Sequence, residues 1–276
     1  AGESFLKAYL KYGTSAELWA LIQNSNFCKK LNESAQQYGV DKKINFIYNH
    51  NIGQLSQTGS LFYPGPDFAE LAFKRRLFGD TQWTLTGITH TTSSKGAMDS
   101  IINLLSAPIY PWDSLICTSH AVKNNVEKLL DSQLKYLKDR FAISKYLLPQ
   151  LPVIPLGIHT EDFSFSKDQK RQARKELNIP DNGIVVLYVG RLSFHAKAHP
   201  LLMYQALQAA SCHVENPIFL IECGWFANQQ ISNAFDQAKK NVCPNITAIY
   251  LDGRDMHSRN KAWASADIFC SFSDNL

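Results

Sequence analysis

An unbroken apolar run in the second half of the chain most constrains the fold. Ile184 to Val189 is a β-branched and apolar stretch with no polar alternation. Such a strand is buried on both faces, as in parallel sheets that helices cover. We therefore expect a central parallel strand that ends at Gly190, where the missing Cβ lets the backbone approach a ligand or a neighbouring strand.

Two cations follow this strand. Arg191 comes directly after Gly190, and Lys197 precedes a stretch with helical character at residues 200–210. Ligands of open α/β sheets bind outside the carboxyl ends of the strands, and a guanidinium fork with a flexible ammonium suits a diphosphate. The residues alone leave two interpretations open: a diphosphate site, or an ordinary strand-to-helix loop with a surface Arg and Lys.

Strand-like and helix-like segments alternate along the chain, which predicts α/β architecture with parallel sheets and right-handed crossovers. Strands are expected at residues 44–48, 60–63, 83–89, 114–119, 184–189, 217–222, 246–251 and 267–271. The apolar segment at residues 153–158 is interrupted by two residues, Pro155 and Gly157, and is interpreted as a crossover between two sheets. We therefore expect two domains, 1–155 and 156–276.

The composition is that of a globular protein able to bury a core, with 45% apolar and 19% charged residues. The net charge of +4 fits anionic substrates or membrane surfaces but requires neither. Basic clusters at residues 74–76 and 167–175 lack interleaved aromatic residues, so we expect solvated helix faces and no nucleic-acid partner.

The six scattered cysteines form no Cys-x-x-Cys pair, which indicates a reducing compartment and no metal framework. No run is long enough to span a bilayer, and no signal peptide is recognisable.

Two further positions are candidates for ligand contact. His90 follows a strand-like segment and opens a polar run that ends at Lys95. It either faces a ligand or is a structural or solvated histidine. Gly2 precedes a helical segment, and it would lie in an anion-binding loop if a strand comes before it. The other interpretation of Gly2 is a plain helix N-terminus.

The ordered motifs of the chain resemble glycosyltransferase family 4. The segments that carry the resemblance are residues 87–91, 115–119, 153–163, 187–192 with Lys197, and 266–273. They cover nearly the whole chain, in the family's order and spacing. Each motif is weak alone, whereas the ordered set is fairly specific.

The resemblance implies the GT-B architecture, in which two Rossmann-like domains face each other across a cleft. The first domain would bind a sugar or lipid-linked acceptor, and the second would bind a nucleotide-sugar donor linked to UDP or GDP. The family transfers hexosyl groups with retention of configuration, uses no metal ion in most GT-B enzymes and needs no cofactor. A cytoplasmic location follows, with peripheral membrane contact through the basic helix at residues 166–177 as a weaker alternative to a solvated face.

The resemblance also implies roles for individual residues. Arg191 and Lys197 would hold the donor diphosphate and stabilise the leaving group, and Gly2 would lie in a glycine-rich loop close to that diphosphate. His90 would lie in the cleft near the transferred sugar. The backbone at residues 252–253, Asp252 and Gly253, would meet the nucleobase.

The sequence departs from the family pattern at several positions. Leu156 replaces a frequent Asn, His159 replaces a common Asp, and Arg191 and Lys197 are one residue further apart than usual. Ala198 replaces the usual Gly, and residues 223–225, Cys-Gly-Trp, replace a short glycine-containing turn. The family's first strand and its paired-glutamate motif are expected outside residues 1–276, so both domains would be incomplete.

Other function classes share this fold. A nicotinamide dehydrogenase should show Gly-x-Gly-x-x-Gly after a strand, whereas one glycine follows Val189. A non-catalytic nucleotide- or sugar-binding module and a GT-B epimerase stay open as alternatives to the transferase.

Overall fold

A computed structural model describes residues 2–40, 42–194 and 199–272, with side chains described from Phe5 onward. The chain divides into two compact units, residues 1–158 and 159–276. Both units alternate helices and parallel strands, as the sequence predicts, and the expected α/β fold class is confirmed.

Unit 1 contains five strands and five α-helices in its described part. In chain order these are α1 (Gly2–Tyr12), β1 (Glu17–Ile22), α2 (Ser25–Gln37), β2 (Lys43–Tyr48), a 3₁₀ segment (Asn49–Gln57), β3 (Ser60–Phe62), α3 (Ala69–Arg76), β4 (Thr84–Ile88), α4 (Lys95–Asn103), β5 (Ser114–Ile116) and α5 (His120–Phe141). The strands form two parallel groups, β1–β2 and β3–β4–β5. Residues of β2, β4 and β5 share one apolar core with residues of α4 and α5.

The segment at residues 153–158, which the sequence analysis interprets as a crossover between two sheets, forms no regular strand. The chain at residues 150–154 follows β5 through three backbone bonds: Leu115 N donates to Gln150 O at 2.9 Å, Cys117 N to Pro152 O at 2.9 Å, and Ile154 N to Cys117 O at 3.0 Å. Prolines 152 and 155 have no N–H to donate, so the ladder stops after a few residues.

A buried ion pair lies in the core of unit 1, where the sequence analysis expects a solvated helix face. Arg75 and Asp113 are both fully buried, and the guanidinium donates to the two carboxylate oxygens at 2.6 and 2.8 Å. Arg75 also donates to the carbonyls of Trp83 and Pro108, each at 2.9 Å. Leu85 N donates to the same carboxylate at 2.8 Å. The expectation for residues 74–76 is therefore wrong at its central position.

Unit 2 contains one four-stranded parallel sheet. Its elements are a 3₁₀ turn (Thr160–Phe163), α6 (Lys167–Glu176), β6 (Ile184–Leu192), α7 (Pro200–Ser211), β7 (Ile218–Phe226), α8 (Gln229–Val242), β8 (Thr247–Asp252), α9 (Met256–Ser265) and β9 (Ile268–Phe269). The strand order is β8–β7–β6–β9. Helices cover both faces of β6, because Val186 packs with α7 residues and Val185 with Ala262 of α9.

Two central strands are longer than the sequence predicts. β6 continues through Gly190 to Leu192, and β7 continues through residues 223–225 to Phe226. The parallel register is unbroken as far as the pair Leu192–Phe226, so pairing between the two strands overrides the local turn signal of each glycine. Gly190 therefore does not end the strand, and Arg191 lies within it.

Some basic side chains of helix α6 make contacts within unit 2. Lys170 Nζ donates to Asp267 Oδ1 at 2.6 Å, and the nearly buried Arg174 donates to the other carboxylate oxygen. Val185 N donates to the same oxygen at 2.9 Å, which joins α6 to β6 through Asp267. Among the described residues, none of the helices combines the length and the apolarity that a bilayer span requires.

Candidate functional site

Three glycines pack closely together at the carboxyl edge of three neighbouring strands in unit 2. Gly190 of β6 pairs with Gly224 of β7, and Gly253 N, just after β8, donates to Gly224 O at 2.9 Å. A Cβ added to Gly224 would lie 1.9 Å from the Gly190 carbonyl oxygen, and one added to Gly253 would lie 2.8 Å from Gly224 Cα. The strands therefore pack too closely for side chains here, and Gly224 and Gly253 are buried.

Arg191 projects from this edge. Its side chain is exposed, and the guanidinium makes no hydrogen bond or ion pair with any residue in the described ranges. The Arg191 carbonyl accepts a hydrogen bond from Tyr188 OH at 3.4 Å, which helps to hold the backbone. An exposed guanidinium at the carboxyl end of a central strand can reach an anion; the anion-binding role of Arg191 stays a prediction.

Lys197, the second predicted cation, lies outside the described residues. The structure resumes at His199, whose Nδ1 accepts from Leu201 N at 3.3 Å and caps the N-terminus of α7. Because α7 follows β6 and runs back along the sheet, its N-terminal end lies at the carboxyl edge of the strands. The partial positive charge of that end favours anions.

Trp225 is a candidate that sequence reasoning missed. It is the register partner of Arg191 across β6 and β7, so the two side chains leave the same face of the sheet. The indole is 37% exposed, and its N–H makes no hydrogen bond within the described part of the chain. The sequence did contain a signal for this candidate, namely a Trp in place of a glycine-containing turn. An exposed aromatic side chain at a strand end can stack on a ligand ring.

Asp252 is held by its neighbour Arg254. Arg254 Nε and Nη2 donate to the two carboxylate oxygens at 3.0 and 2.7 Å, and Arg254 N donates to Oδ1 at 2.9 Å. These hydrogen bonds lower the pKa of Asp252 to about 2. The carboxylate of Asp252 is thus engaged by Arg254, and Gly253 beside it is buried against Gly224.

A buried polar network lies beneath this edge. Glu222 of β7 accepts hydrogen bonds from Tyr204 OH and from Lys239 Nζ, the latter at 2.8 Å. Burial lowers the pKa of Lys239, but Glu222 and Asp236 outweigh it and raise the pKa above its ordinary value. The adjoining cavity, about 10 Å³ in volume and lined in part by Tyr188, Glu222 and Phe235, has room for about one water molecule. The network joins β7 to α7 and α8. The adjoining cavity is too small to hold a nucleotide.

A larger groove of about 420 Å³ lies at the other end of β8. It is lined by Asp236, Lys239, Lys240, Cys243, Pro244, Ile246 and Ala248. These residues come from the C-terminal half of α8, the loop that follows it and the amino end of β8. The groove is therefore separate from the edge that carries Arg191.

His90 lies in unit 1, just after the carboxyl end of β4. Its side chain is exposed, and Nε2 lies 3.1 Å from the Pro64 carbonyl oxygen. A carbonyl only accepts, so Nε2 carries the hydrogen of the neutral ring and Nδ1 keeps its lone pair. The polar run after His90 organises the loop, since Thr91 and Ser93 hydrogen-bond each other and Ser94 caps α4.

The predicted site residues therefore divide between the two units. Arg191, Asp252 and Gly253 meet at one sheet edge of unit 2, whereas Gly2 and His90 belong to unit 1. Gly2 is the first residue of α1. Within the described residues, no group of three or more His, Cys, Asp or Glu side chains is placed to hold a metal ion.

Comparison with known proteins identifies structures of similar fold but no sequence family. No protein-family profile matches the sequence, and no curated protein matches it. Three crystal structures of Alr3699/HepE from Anabaena do match. The complex with UDP gives a TM-score of 0.63 at 12% identity over 100% of this chain and 71% of HepE. The complex with UDP and glucose gives 0.62 at 12% over 99% and 71%, and the complex with UDP-glucose gives 0.56 at 14% over 98% and 69%. The chain is thus similar in fold to HepE along nearly its whole length.

Proposed function

We propose that the protein is a glycosyltransferase that moves a sugar from a nucleotide-sugar donor to an acceptor. One observation carries the proposal: the exposed guanidinium of Arg191, which has no partner among the described residues, stands at the carboxyl edge of a parallel sheet in a fold that the chain shares with HepE, a protein solved with UDP or UDP-glucose bound. The proposed subtype is a retaining, family 4-like hexosyltransferase with GT-B architecture.

The proposed chemistry at Arg191 is electrostatic. When the bond between sugar and diphosphate breaks, negative charge grows on the departing phosphate oxygens. A pre-placed guanidinium stabilises this charge more in the transition state than in the bound donor, and so accelerates the reaction. The N-terminal end of α7 adds partial positive charge at the same edge. We assign the second cation to Lys197 and invoke no metal ion in this step.

The nucleoside is proposed to lie beside the diphosphate on the same edge. Trp225 offers an exposed aromatic face next to Arg191 on which a base can stack. Asp252 and Gly253, at the end of β8, are the proposed nucleobase side of the same edge. A uridine-linked donor fits the ligands of HepE, and a guanosine-linked donor is the alternative.

The acceptor, either a sugar or a lipid-linked sugar, is assigned to unit 1. His90 is proposed to face the transferred sugar, because its Nδ1 lone pair is available to a hydroxyl donor while Nε2 is tied to Pro64. Gly2, at the start of α1, is proposed to contact the donor phosphate through backbone N–H.

The proposed function is tested by release of nucleoside diphosphate. The protein is incubated with UDP-glucose and with a GDP-linked hexose, with and without sugar acceptors, and product linkage is determined by NMR. Removing the charged hydrogen bond in Arg191→Ala should lower turnover about ten- to a hundredfold. Arg171→Ala, which removes an exposed arginine of α6 in the same unit, is the matched control and should retain activity.

Each outcome distinguishes the candidates. Equal turnover in the wild type and Arg191→Ala contradicts the assigned site. Saturable nucleotide binding without release of product favours the non-catalytic binding module. Conversion of the nucleotide sugar to its epimer, with no transfer, favours the epimerase.

A further inference from the structure

The C-terminal end of α5 extends beyond the core that supports the helix. Val126, Leu130 and Leu134 are the buried residues of α5, and none of residues 135–141 is buried. Instead, Tyr136 is 53% exposed and Phe141 is 62% exposed. Two helical turns therefore lie outside the core, although burial is what normally stabilises a helix in a folded protein.

The chain turns back immediately after these two turns. Ala142 adopts a left-handed conformation with φ of 52°, which ends the helix. In the returning segment Tyr146 is 43% exposed and Leu147 is 49% exposed. Lys138 Nζ lies 4.9 Å from the centroid of the Tyr146 ring, so the helix end and the returning segment contact each other. We call residues 135–147 the α5 tip.

The α5 tip is strongly cationic. It contains four cations and a single carboxylate, Asp139; the cations are Lys135, Lys138, Arg140 and Lys145. None of these four forms an ion pair with a carboxylate within the described residues. The tip therefore has a net charge of +3 from 13 residues, against +4 for the whole chain.

We propose that the α5 tip binds the surface of an anionic membrane. Cations beside exposed aromatic and aliphatic side chains suit the lipid headgroup region, where ammonium and guanidinium groups meet phosphate and apolar groups enter the acyl boundary. Phe141 and Leu147 have no hydrogen-bonding group, so their exposure favours a lipid surface over a purely polar polyanion. This inference does not depend on the proposed function.

The tip is far from the edge that would bind a substrate in unit 1. α5 has 22 residues and begins just after β5, so its far end is about 33 Å from the carboxyl end of that strand at 1.5 Å per residue. Substitutions in the tip should therefore leave the loop around His90 unchanged. Membrane contact would also hold unit 1 beside a lipid-linked acceptor.

The test is co-sedimentation of the full chain with vesicles. We expect binding to phosphatidylcholine–phosphatidylglycerol vesicles that weakens with salt, and little binding to phosphatidylcholine alone. A charge variant replaces Lys135, Lys138, Arg140 and Lys145 with Gln, and it should lose about fivefold in partition coefficient per charge, about a hundredfold or more in total. The control replaces four exposed lysines elsewhere with Gln, namely Lys30, Lys167, Lys175 and Lys240, and should bind like the wild type.

An apolar variant, Phe141→Ser with Leu147→Ser, separates a membrane from other polyanions. It should bind anionic vesicles about tenfold or more weakly while binding heparin unchanged. Circular dichroism and the melting temperature should match the wild type, because all substituted side chains are exposed. The proposal is overturned if the wild type does not bind anionic vesicles. It is also overturned if the dispersed lysine control loses as much vesicle binding as the charge variant. Full vesicle binding by the apolar variant would overturn it too and would indicate a nucleic acid or another polyanion as the partner.

Discussion

Arg75 and Arg191 show how one residue type takes opposite roles in this molecule. Arg75 is fully buried, and both terminal nitrogens of its guanidinium are used by Asp113 and by backbone carbonyls. Arg191 is exposed, and its guanidinium has no partner among the described residues. The first contributes to the fold, whereas the second is available to an anionic ligand.

The buried pair leads to a prediction at the residue scale. Arg75→Met removes one partner and leaves the Asp113 carboxylate buried and unpaired, which should lower the free energy of unfolding by about 3–5 kcal/mol. The neighbouring Lys74→Met removes an exposed pair with Glu70 and should cost about 1 kcal/mol or less. Urea unfolding of both variants is the measurement, and equal small losses would show that the Arg75 pair does not support the core.

Sequence reasoning reached Arg191 but not Arg75, for a physical reason. Arg191 follows a continuous apolar run, so its place at a strand end is a local property of the sequence. The burial of Arg75 depends on Asp113, which lies 38 residues further along the chain. No local sequence pattern reveals that these two residues pair. The exposure of Trp225 likewise depends on the register of β6 with β7.

At the scale of elements, local signals located most strands and helices, and long-range pairing set their lengths. Ser119 caps α5 by accepting from Val122 N, a role for which serine is a preferred residue. Residues 223–225 have the composition of a turn, yet nine paired positions along β6 keep them in β7. Glu17–Ile22 was missed as a strand, since its apolar residues follow a helical segment without a clear turn signal; its pairing with β2 supplies the missing information.

The contact between α6 and Asp267 gives a prediction for pH. Burial raises the pKa of Asp267, but hydrogen bonds from Lys170, from Val185 N and from Arg174 outweigh it and hold the pKa below its ordinary value. A carboxyl with a depressed folded-state pKa stabilises the fold above its unfolded pKa of about 3.9, and this stabilisation is lost as the pH falls through the folded value.

Thermal unfolding of the wild type and Asp267→Asn between pH 7 and pH 3 measures this effect. The variant should melt at a lower temperature near neutral pH, and the difference should narrow once the pH falls below about 3.9. A difference that stays constant down to pH 3 would mean that the Asp267 carboxylate contributes no charge-dependent stability.

At the scale of the whole molecule, each of the two units is built on parallel strands, and the alternation of apolar runs with helical segments was sufficient to predict this. The chain is similar in fold to HepE although the two share 12% sequence identity. The sequence analysis named Arg191, Asp252 and Gly253, and the structure brings them to one sheet edge; their contact with a donor stays a prediction. The close packing of Gly190 against Gly224 needs the register of β6 with β7 and was not visible in the sequence.

The central claim is that unit 2 holds a nucleoside diphosphate at this edge, and calorimetric titration with UDP tests it most directly. The wild type and the control Arg171→Ala should bind UDP with the same affinity, and Arg191→Ala should bind at least about tenfold more weakly, because one charged hydrogen bond contributes about 1.5–3 kcal/mol. GDP and ADP, titrated in parallel, report which base the edge accepts. Saturable binding of a nucleoside diphosphate that Arg191→Ala does not weaken, or no binding of any of the three by the wild type, would contradict the account.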